Sequence, residues 1–403
     1  MHHANIRSLA YFLMRGIAVI GLVVSSGISF AQEIKIAMIT GRTGALEAYA
    51  KETETGFLLG LEYLTNGKME LNGRKIKVIF KDDQSKPDLG RTLLAEAYGD
   101  DKVDLAVGTT SSGSALAMLP IAAEYKKILL IEPAVADVIT GEKWNRYIFR
   151  TSRNSIQDGL AAASALKAGG SIAFLAQDYA FGRDGVKAGK EALSAVGSKA
   201  KVVHEEYVAQ NTTDFTAAAQ RIFNAMKDKP EPRVLAIIWA GTNPLSKIAD
   251  LRPERFGITL APGGNILPVL KTWKTYAGTE GTIYYYYDFP KNKMNDWLVA
   301  EHMKRYKMPP DLFTAGGFAA ASAVVSALNK AKSSDTEKLI AAMEGLEFDT
   351  PKGKMSFRPQ DHQAMQSMFH FRIKKEQKNE WDLLELVREI PASELPVPIR
   401  NKR

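Results

Sequence analysis

The chain of 403 residues carries 53 basic and 45 acidic side chains, a formal charge of +8, and 45% of its residues are hydrophobic. That length exceeds one ordinary core and that balance excludes a disordered polymer, so two globular domains are expected. The lack of cysteine excludes disulfides, thiolate catalysis and thiolate metal ligation; cores of this size hold a secreted chain together without cross-links.

The first 31 residues read differently from the rest. Arg7 and Arg15 precede an apolar run over 17–24, and small residues lead to Ser29-Phe30-Ala31. A basic start, a short apolar centre and small residues at −3 and −1 spell a secretory signal cleaved after Ala31, which places the mature protein in the periplasm. The run is short for a membrane span, although an uncleaved anchor is the alternative reading. If Met14 is the true start, Arg15 is the one basic residue of the signal. Cleavage leaves 51 basic against 45 acidic side chains, a mild +6. The densest basic spots, Lys374-Lys375 and Arg400-Asn401-Lys402-Arg403, have no interleaved aromatics, so no nucleic-acid groove is expected.

From Gln32 onward short apolar strands alternate with helical segments. A strand over 34–39 leads into the loop Thr40-Gly41-Arg42-Thr43-Gly44. A helix then runs through 56–64, with Phe57, Leu61 and Leu64 on one face. A second strand covers 76–80, a helix opened by Pro87 covers 88–98, and a third strand covers 105–107. A helix over 114–124 and a fourth strand over 128–131 follow. After 147–150 the cycle restarts with strands at 172–176, 202–207 and 234–239 and helices at 182–196 and 214–227. Nearly continuous apolar strands separated by helices specify parallel sheets covered on both faces, here two doubly wound α/β units. The last third holds a β-like run over 281–287 with four consecutive tyrosines, expected to alternate between core and interlobe surface. Helices near 292–306, 314–331 and 336–343 and strands at 368–373 and 381–386 close the chain. They are too few for a third domain and are expected to complete the two units already built.

Ligands of open α/β sheets sit beyond the carboxyl ends of the strands. The loops there are Thr40 to Gly44 with Tyr49 close behind, and Gly108-Thr109-Thr110-Ser111-Ser112-Gly113-Ser114. The others are Glu132-Pro133-Ala134-Val135-Ala136-Asp137, Gln177 to Gly182, Ala240-Gly241-Thr242-Asn243-Pro244 and Pro262-Gly263-Gly264-Asn265. Four hydroxyls and a glycine before a helix suit a carboxylate, and equally suit a helix cap with a tight turn. Asp137 reads as the cap of a short helix over 138–140. Tyr49 and Phe181 are either walls for an apolar ligand group or ordinary surface aromatics. Enzyme signatures are missing: there is no Gly-Lys-Ser/Thr phosphate loop, no Gly-x-Gly-x-x-Gly and no Gly-x-Ser-x-Gly. His204, His302, His362 and His370 occur singly, without metal-ligand spacing. Asp82 and Asp83, adjacent on an extended chain, point to opposite faces and make no dyad.

The order and spacing of several elements resemble the branched-chain amino-acid (Leu/Ile/Val-type) periplasmic solute-binding proteins of the type I periplasmic-binding-protein fold. The carriers are Ile34-Lys35-Ile36-Ala37 into Thr43-Gly44, Tyr49, Thr55-Gly56 and the 78–83 strand with Pro87. Val107-Gly108 with the Ser-rich turn, Pro133-Ala134, Phe149-Arg150-Thr151, Phe181-Gly182 and Asp361-His362-Gln363 continue the match. The resemblance implies two Rossmann-like lobes joined by a three-stranded hinge, with crossings near Thr151, within 284–287 and within 356–370. Lobe 1 would then hold 32–150 plus about 285–357, and lobe 2 would hold 151–284 plus about 358–403. It further implies a non-catalytic protein without cofactor that passes a small carboxylate ligand to ABC permease subunits in the inner membrane as a monomer. A ligand-sensing receptor of the same fold is the alternative.

Carried over residue by residue, Ser112, Gly113, Ser114, Ala134 and Ala136 would hold the ligand carboxylate, with Ser111 and Val135 beside them. Phe181 and Tyr49 would pack on its body, and Asn243 and Gly263 lie in the facing loops. Where amino-acid-binding members place an acid for the ligand ammonium, this chain has Pro262-Gly263-Gly264, and Ala136 stands where a threonine is expected. Both departures count against an α-amino acid and favour an apolar or aromatic acid.

Overall fold

The computed structural model describes residues 33–402 other than 164, 165, 167 and 243. The signal expected over 1–31, its cleavage site and Asn243 lie outside the described residues. The first sheet is built by β1 (Ile34–Thr40), β2 (Glu70–Leu71), β3 (Arg74–Asp82), β4 (Leu105–Gly108), β5 (Leu129–Ile131) and β6 (Ile148–Arg150). Helices α1 (Glu47–Leu64), α2 (Pro87–Gly99) and α3 (Ser112–Tyr125) connect them. The strand order is β2-β3-β1-β4-β5-β6, and every pairing is parallel except the short β2–β3 hairpin.

After α4 (Ser155–Ala163) a second sheet forms from β7 (Ser171–Gln177), β8 (Lys201–Val208), β9 (Arg233–Ile238) and β10 (Ile258–Pro262). Helices α5 (Ala180–Ala195), α6 (Thr216–Met226) and α7 (Leu245–Asp250) connect these strands. The order is β10-β9-β7-β8, again parallel. Counting only the parallel strands, and so leaving out β2, in both sheets the first strand is flanked by the second on one side and the third on the other, the doubly wound arrangement. All seven residues of β7 are buried, as expected for a strand covered on both faces.

The remaining chain is α8 (Leu267–Thr272), β11 (Glu280–Ile283), α9 (Lys293–Tyr306), α10 (Leu312–Ala331) and α11 (Thr336–Met343). Then come β12 (Glu347–Thr350), β13 (Gly353–Phe357), β14 (Ala364–Met365), β15 (Met368–Ile373) and β16 (Leu384–Ile390). Strands β12, β13 and β14 form one antiparallel sheet, and β11, β15 and β16 another. Core membership divides this segment. Ala319, Val324, Leu328, Phe348 and Phe357 share a core with Ile36, Phe57 and Val107, whereas Ile283, Phe369 and Phe371 share one with Phe174, Leu235 and Trp273.

Helix α10 is apolar and long enough to span a bilayer by composition, yet 89% of its most apolar window is buried. It is the central core helix of the first body. Its N-terminus is fixed by Asp311, whose carboxylate accepts from the Phe313 and Thr314 amides. It touches α1 backbone to backbone. A Cβ on Gly56 would stand 1.8 Å from the Thr314 carbonyl oxygen, and one on Gly317 would stand 1.9 Å from that of Thr53.

The tyrosine run departs from the expected alternation. Strand β11 ends at Ile283, so the chain turns and Tyr284, Tyr285 and Tyr286 are all buried. Tyr285 donates to Asn295 Oδ1 (2.7 Å), and Tyr286 Oη accepts from the Leu383 amide (2.8 Å). The Tyr284 ring lies between two cations, with the Arg153 guanidinium carbon at 4.6 Å and Lys352 Nζ at 4.9 Å. The final strand also begins later than the 381–386 run suggests, at Leu384.

Candidate functional site

The first strand of each sheet lies beside the third, β1 beside β4 and β7 beside β9, and a crevice opens at their carboxyl ends. These crevices face each other across a cleft that encloses ≈ 490 Å³ when its open mouth is counted. Leu46 and Tyr49 after β1, Thr110 and Ser112 after β4, and Pro133, Ala134 and Val135 after β5 line one wall. Tyr179 and Phe181 at the start of α5, Trp239 and Ala240 after β9, and Gly264 and Asn265 after β10 line the other. Phe313 of α10 and Arg153 after β6 complete it.

Aromatic rings dominate. Tyr49 stacks on Phe313 at 4.3 Å between centroids, Tyr179 lies 5.9 Å from Phe181, and Trp239 meets Phe215 edge-on at 5.2 Å. The Tyr49 hydroxyl crosses the cleft. It accepts from the Gly241 amide at 2.9 Å and lies 3.2 Å from Asn265 Oδ1. Burial pushes its pKa up to about 12, against the pull of those two partners, so it remains a donor throughout the neutral range.

The hydroxyls of the Ser-rich turn are turned to several tasks. Thr109 donates to the Asp83 carboxylate (2.5 Å), and Thr110 Oγ1 accepts from the Gly41 amide (3.1 Å). Ser112 Oγ accepts from the amides of Val135 (3.4 Å) and Ala136 (3.3 Å). The Ala134 amide donates to the Thr109 carbonyl (3.2 Å). Ser111 occupies the N-cap position of α3 without a side-chain capping bond. Thr110 and Ser112 both line the cleft, while the amides of Ala134, Val135 and Ala136 are bonded within the protein.

Among the described residues no Asp or Glu side chain lines the cleft, and Arg153 is the one charged side chain that does. Its Nε lies 3.2 Å from Asp158. Burial pulls the Arg153 pKa down, and the Asp158 and Tyr284 neighbourhood reverses this to a net rise, so the guanidinium stays cationic. Glu132 is fully buried and turned toward α10, where Gly316 leaves room for it, and it accepts from Thr151 Oγ1 at 3.0 Å. Asp137 opens a short 3-10 turn and caps α4 instead of the turn itself, accepting from the Ile156 amide at 3.0 Å. Its other oxygen takes Arg400 (3.2 Å), and its amide donates to Asp184 (2.7 Å). Among the described residues no group of three or more His, Asp or Glu side chains is placed to hold a metal ion.

Of the residues singled out in the sequence, Tyr49, Ser112, Ala134, Val135 and Phe181 come together on the cleft wall. Ser111, Gly113, Ser114, Ala136 and Gly263 do not line it. Gly113 and Ser114 enter the helix one and two residues past Ser112, and that rotation carries Ser114 toward Gly90 and Asp83. Ala136 is fully buried, and Gly263 is exposed because the loop turns Gly264 inward. Sequence reasoning missed Arg153, Trp239, Tyr179, Thr110 and Phe313. Four of these lie in or next to the carboxyl-end loops and were open to the same reading. Phe313 is brought in from 264 positions beyond Tyr49 by the contact of α1 with α10, and no local signal marks it.

The family model for periplasmic binding proteins matches residues 33–378. A Brucella abortus (strain 2308) protein named Leu/Ile/Val-binding protein homolog 2 is 24% identical over 355 residues, covering 86% of this chain and 91% of its own. A Rhodopseudomonas palustris CGA009 structure described as an ABC-type branched-chain amino acid transporter is 62% identical with a TM-score of 0.81, covering 92% of this chain and all of that one. A solute-binding protein of an ABC transporter from Rhodopseudomonas palustris BisB5, in complex with 3,4-dihydroxybenzoic acid, is 26% identical with a TM-score of 0.77, covering 91% and 99%. On the strength of the family match across nearly all of the described chain, the protein belongs to the periplasmic binding proteins and has their type I α/β fold.

Proposed function

We propose that this protein captures a small carboxylic acid with an aromatic or apolar body for an ABC importer, by closure of two lobes in the periplasm. The observation that carries the reading is the chemistry of the cleft wall, which among the described residues holds five aromatic side chains, hydroxyl donors, one arginine and no carboxylate. An α-amino acid would bring an ammonium with no side-chain anion to meet it, and an unpaired buried charge is costly. The bound dihydroxybenzoic acid of the BisB5 protein supports the same class. The names of the Brucella and CGA009 relatives favour a second reading, a branched-chain amino acid.

The proposed division follows the cores, with residues 33–150 and about 290–365 in one lobe and the rest in the other. Contacts on the ligand are assigned to Tyr49, Ser112, Ala134, Val135 and Phe181, joined by Thr110, Tyr179, Trp239 and Phe313. The partner is a permease pair, and export through the segment over 1–31 precedes both.

Calorimetry against leucine, valine, 3,4-dihydroxybenzoate and cinnamate tests the ligand class. Micromolar binding of at least one desamino acid, with a smaller radius of gyration by X-ray scattering on saturation, is the expected outcome. Micromolar leucine binding with no heat from either acid overturns the ligand class, and an unchanged radius overturns the clamp.

A further inference from the structure

We infer that Arg153, which follows β6, takes the ligand's carboxylate. This rests on reading the cleft as a site for an acid. Three observations converge on the residue.

Among the described residues Arg153 supplies the only full charge on the cleft wall, and its side chain is 14% exposed. A buried carboxylate without a cation or a complete set of donors is strongly disfavoured. The guanidinium is also oriented before any ligand arrives. Its Nε is engaged by Asp158 and its face lies on the Tyr284 ring, while its two Nη atoms make no hydrogen bond among the described residues. A guanidinium held by one edge and one face presents the remaining fork in a fixed direction, the geometry that binds a carboxylate through two parallel N–H···O bonds. Finally, in the loop after β5 the amides of Ala134, Val135 and Ala136 are already bonded to Thr109 and Ser112, so these three are not available to an anion.

The placement of Arg153 has a second aspect. It follows β6, Tyr284 follows β11, and Gln366, which accepts from Lys352 Nζ at 2.7 Å, lies between β14 and β15. The stack of Arg153, Tyr284 and Lys352 therefore sits where the chain passes between the two cores three times. Asp158 faces Arg153 and Glu132 faces both cations, so an anion on Arg153 joins a charge network that spans these crossings.

The test measures 3,4-dihydroxybenzoate, cinnamate and their carboxamides by calorimetry on the wild type, R153Q, R153K and R153Q/D158N. The double variant removes both members of the Arg153–Asp158 pair, so it reports on binding even if the single change leaves an unpaired Asp158 and a poorly folded protein. The expected result is a loss of about 30-fold or more for the acid in both glutamine variants, the effect of removing one partner of a buried charge pair. The carboxamide should change by less than about 3-fold, and R153K should restore part of the acid affinity, since lysine keeps the charge but not the fork. Folded R153Q or R153Q/D158N protein that binds the acid as tightly as wild type overturns the assignment and leaves the acid-binding reading standing. A wild type that binds neither acid overturns both.

Discussion

Replacing Tyr49 by phenylalanine keeps the ring that stacks on Phe313 and removes only the hydroxyl that reaches across the cleft. In the closed cleft that oxygen serves the Gly241 amide at 2.9 Å and Asn265 Oδ1 at 3.2 Å. Its loss strands one buried donor and weakens the hold on one buried acceptor. A net hydrogen bond is worth about 1 kcal/mol and an unsatisfied buried group about 1–3 kcal/mol, so closure should weaken by roughly 1–3 kcal/mol. Because ligand binding and closure are one equilibrium, affinity for whichever acid binds the wild type should fall by about 5- to 150-fold. Most of the loss should appear as faster dissociation in stopped-flow fluorescence, since a latch acts after encounter. The melting temperature of ligand-free protein should stay nearly constant if the latch forms only on closure. An affinity within about 2-fold of wild type would show that the Tyr49 hydroxyl is a bystander and the latch argument wrong.

Acidity should act on the Asp137–Asp184 pair. Burial, then the Asp184 carboxylate, raise Asp137 to about 7, against the pull of Ile156, Arg150 and Arg400; Asp184 is likewise raised, by burial. A folded pKa above the unfolded value of about 3.9 contributes stability below the unfolded value and loses it as pH rises through about 7. Chemical denaturation should therefore show stability rising by on the order of 1–2 kcal/mol from pH 8 to pH 5, and D184N should flatten that slope; a wild-type slope of opposite sign would refute this. Gly317→Ala should cost about 3 kcal/mol or more, because its Cβ would lie 1.9 Å from the Thr53 carbonyl oxygen and α1 would have to move off α10. A melting temperature within about 2 °C of wild type would count against that contact. Saturation with a bound acid at about 100 times its Kd should stabilise the protein by about 2.7 kcal/mol, a rise in melting temperature that scales with ligand concentration.

Much of this architecture can be read from the residues because parallel strands are covered on both faces and therefore spell unbroken apolar runs, as in 172–176 and 234–239. The carboxyl-end rule then points to the loops that line the cleft. What it leaves open is phase within each loop. Ser112 faces the cleft while Ser114, two residues further round the first turn of α3, faces Asp83, and Gly264 turns inward while Gly263 does not. One residue of helical or loop advance decides the matter, and tertiary packing sets it. Arg153 escaped notice because it sits among Thr151, Ser152 and Asn154, where a cation reads as surface. Its neighbours Tyr284 and Lys352 arrive from 131 and 199 positions downstream. The buried tyrosines misled for another reason: alternation presumes a strand, and the strand stops at Ile283.

The division of the last third between two cores has a bearing on how the chain is made. Ile36 and Leu328 belong to one core, so the first strand must wait for roughly 290 further residues before its covering helix exists, about 15–60 s at a synthesis rate of ~5–20 residues per second. During that interval Ala37 and Ile39 on one face of β1 can already pack against Leu94, Ala97 and Met118, but Ile36 and Phe57 still lack the α10 side chains of their own core, so the first body cannot be finished ahead of the rest. Until α10 arrives, that open apolar face is where association with other chains would begin.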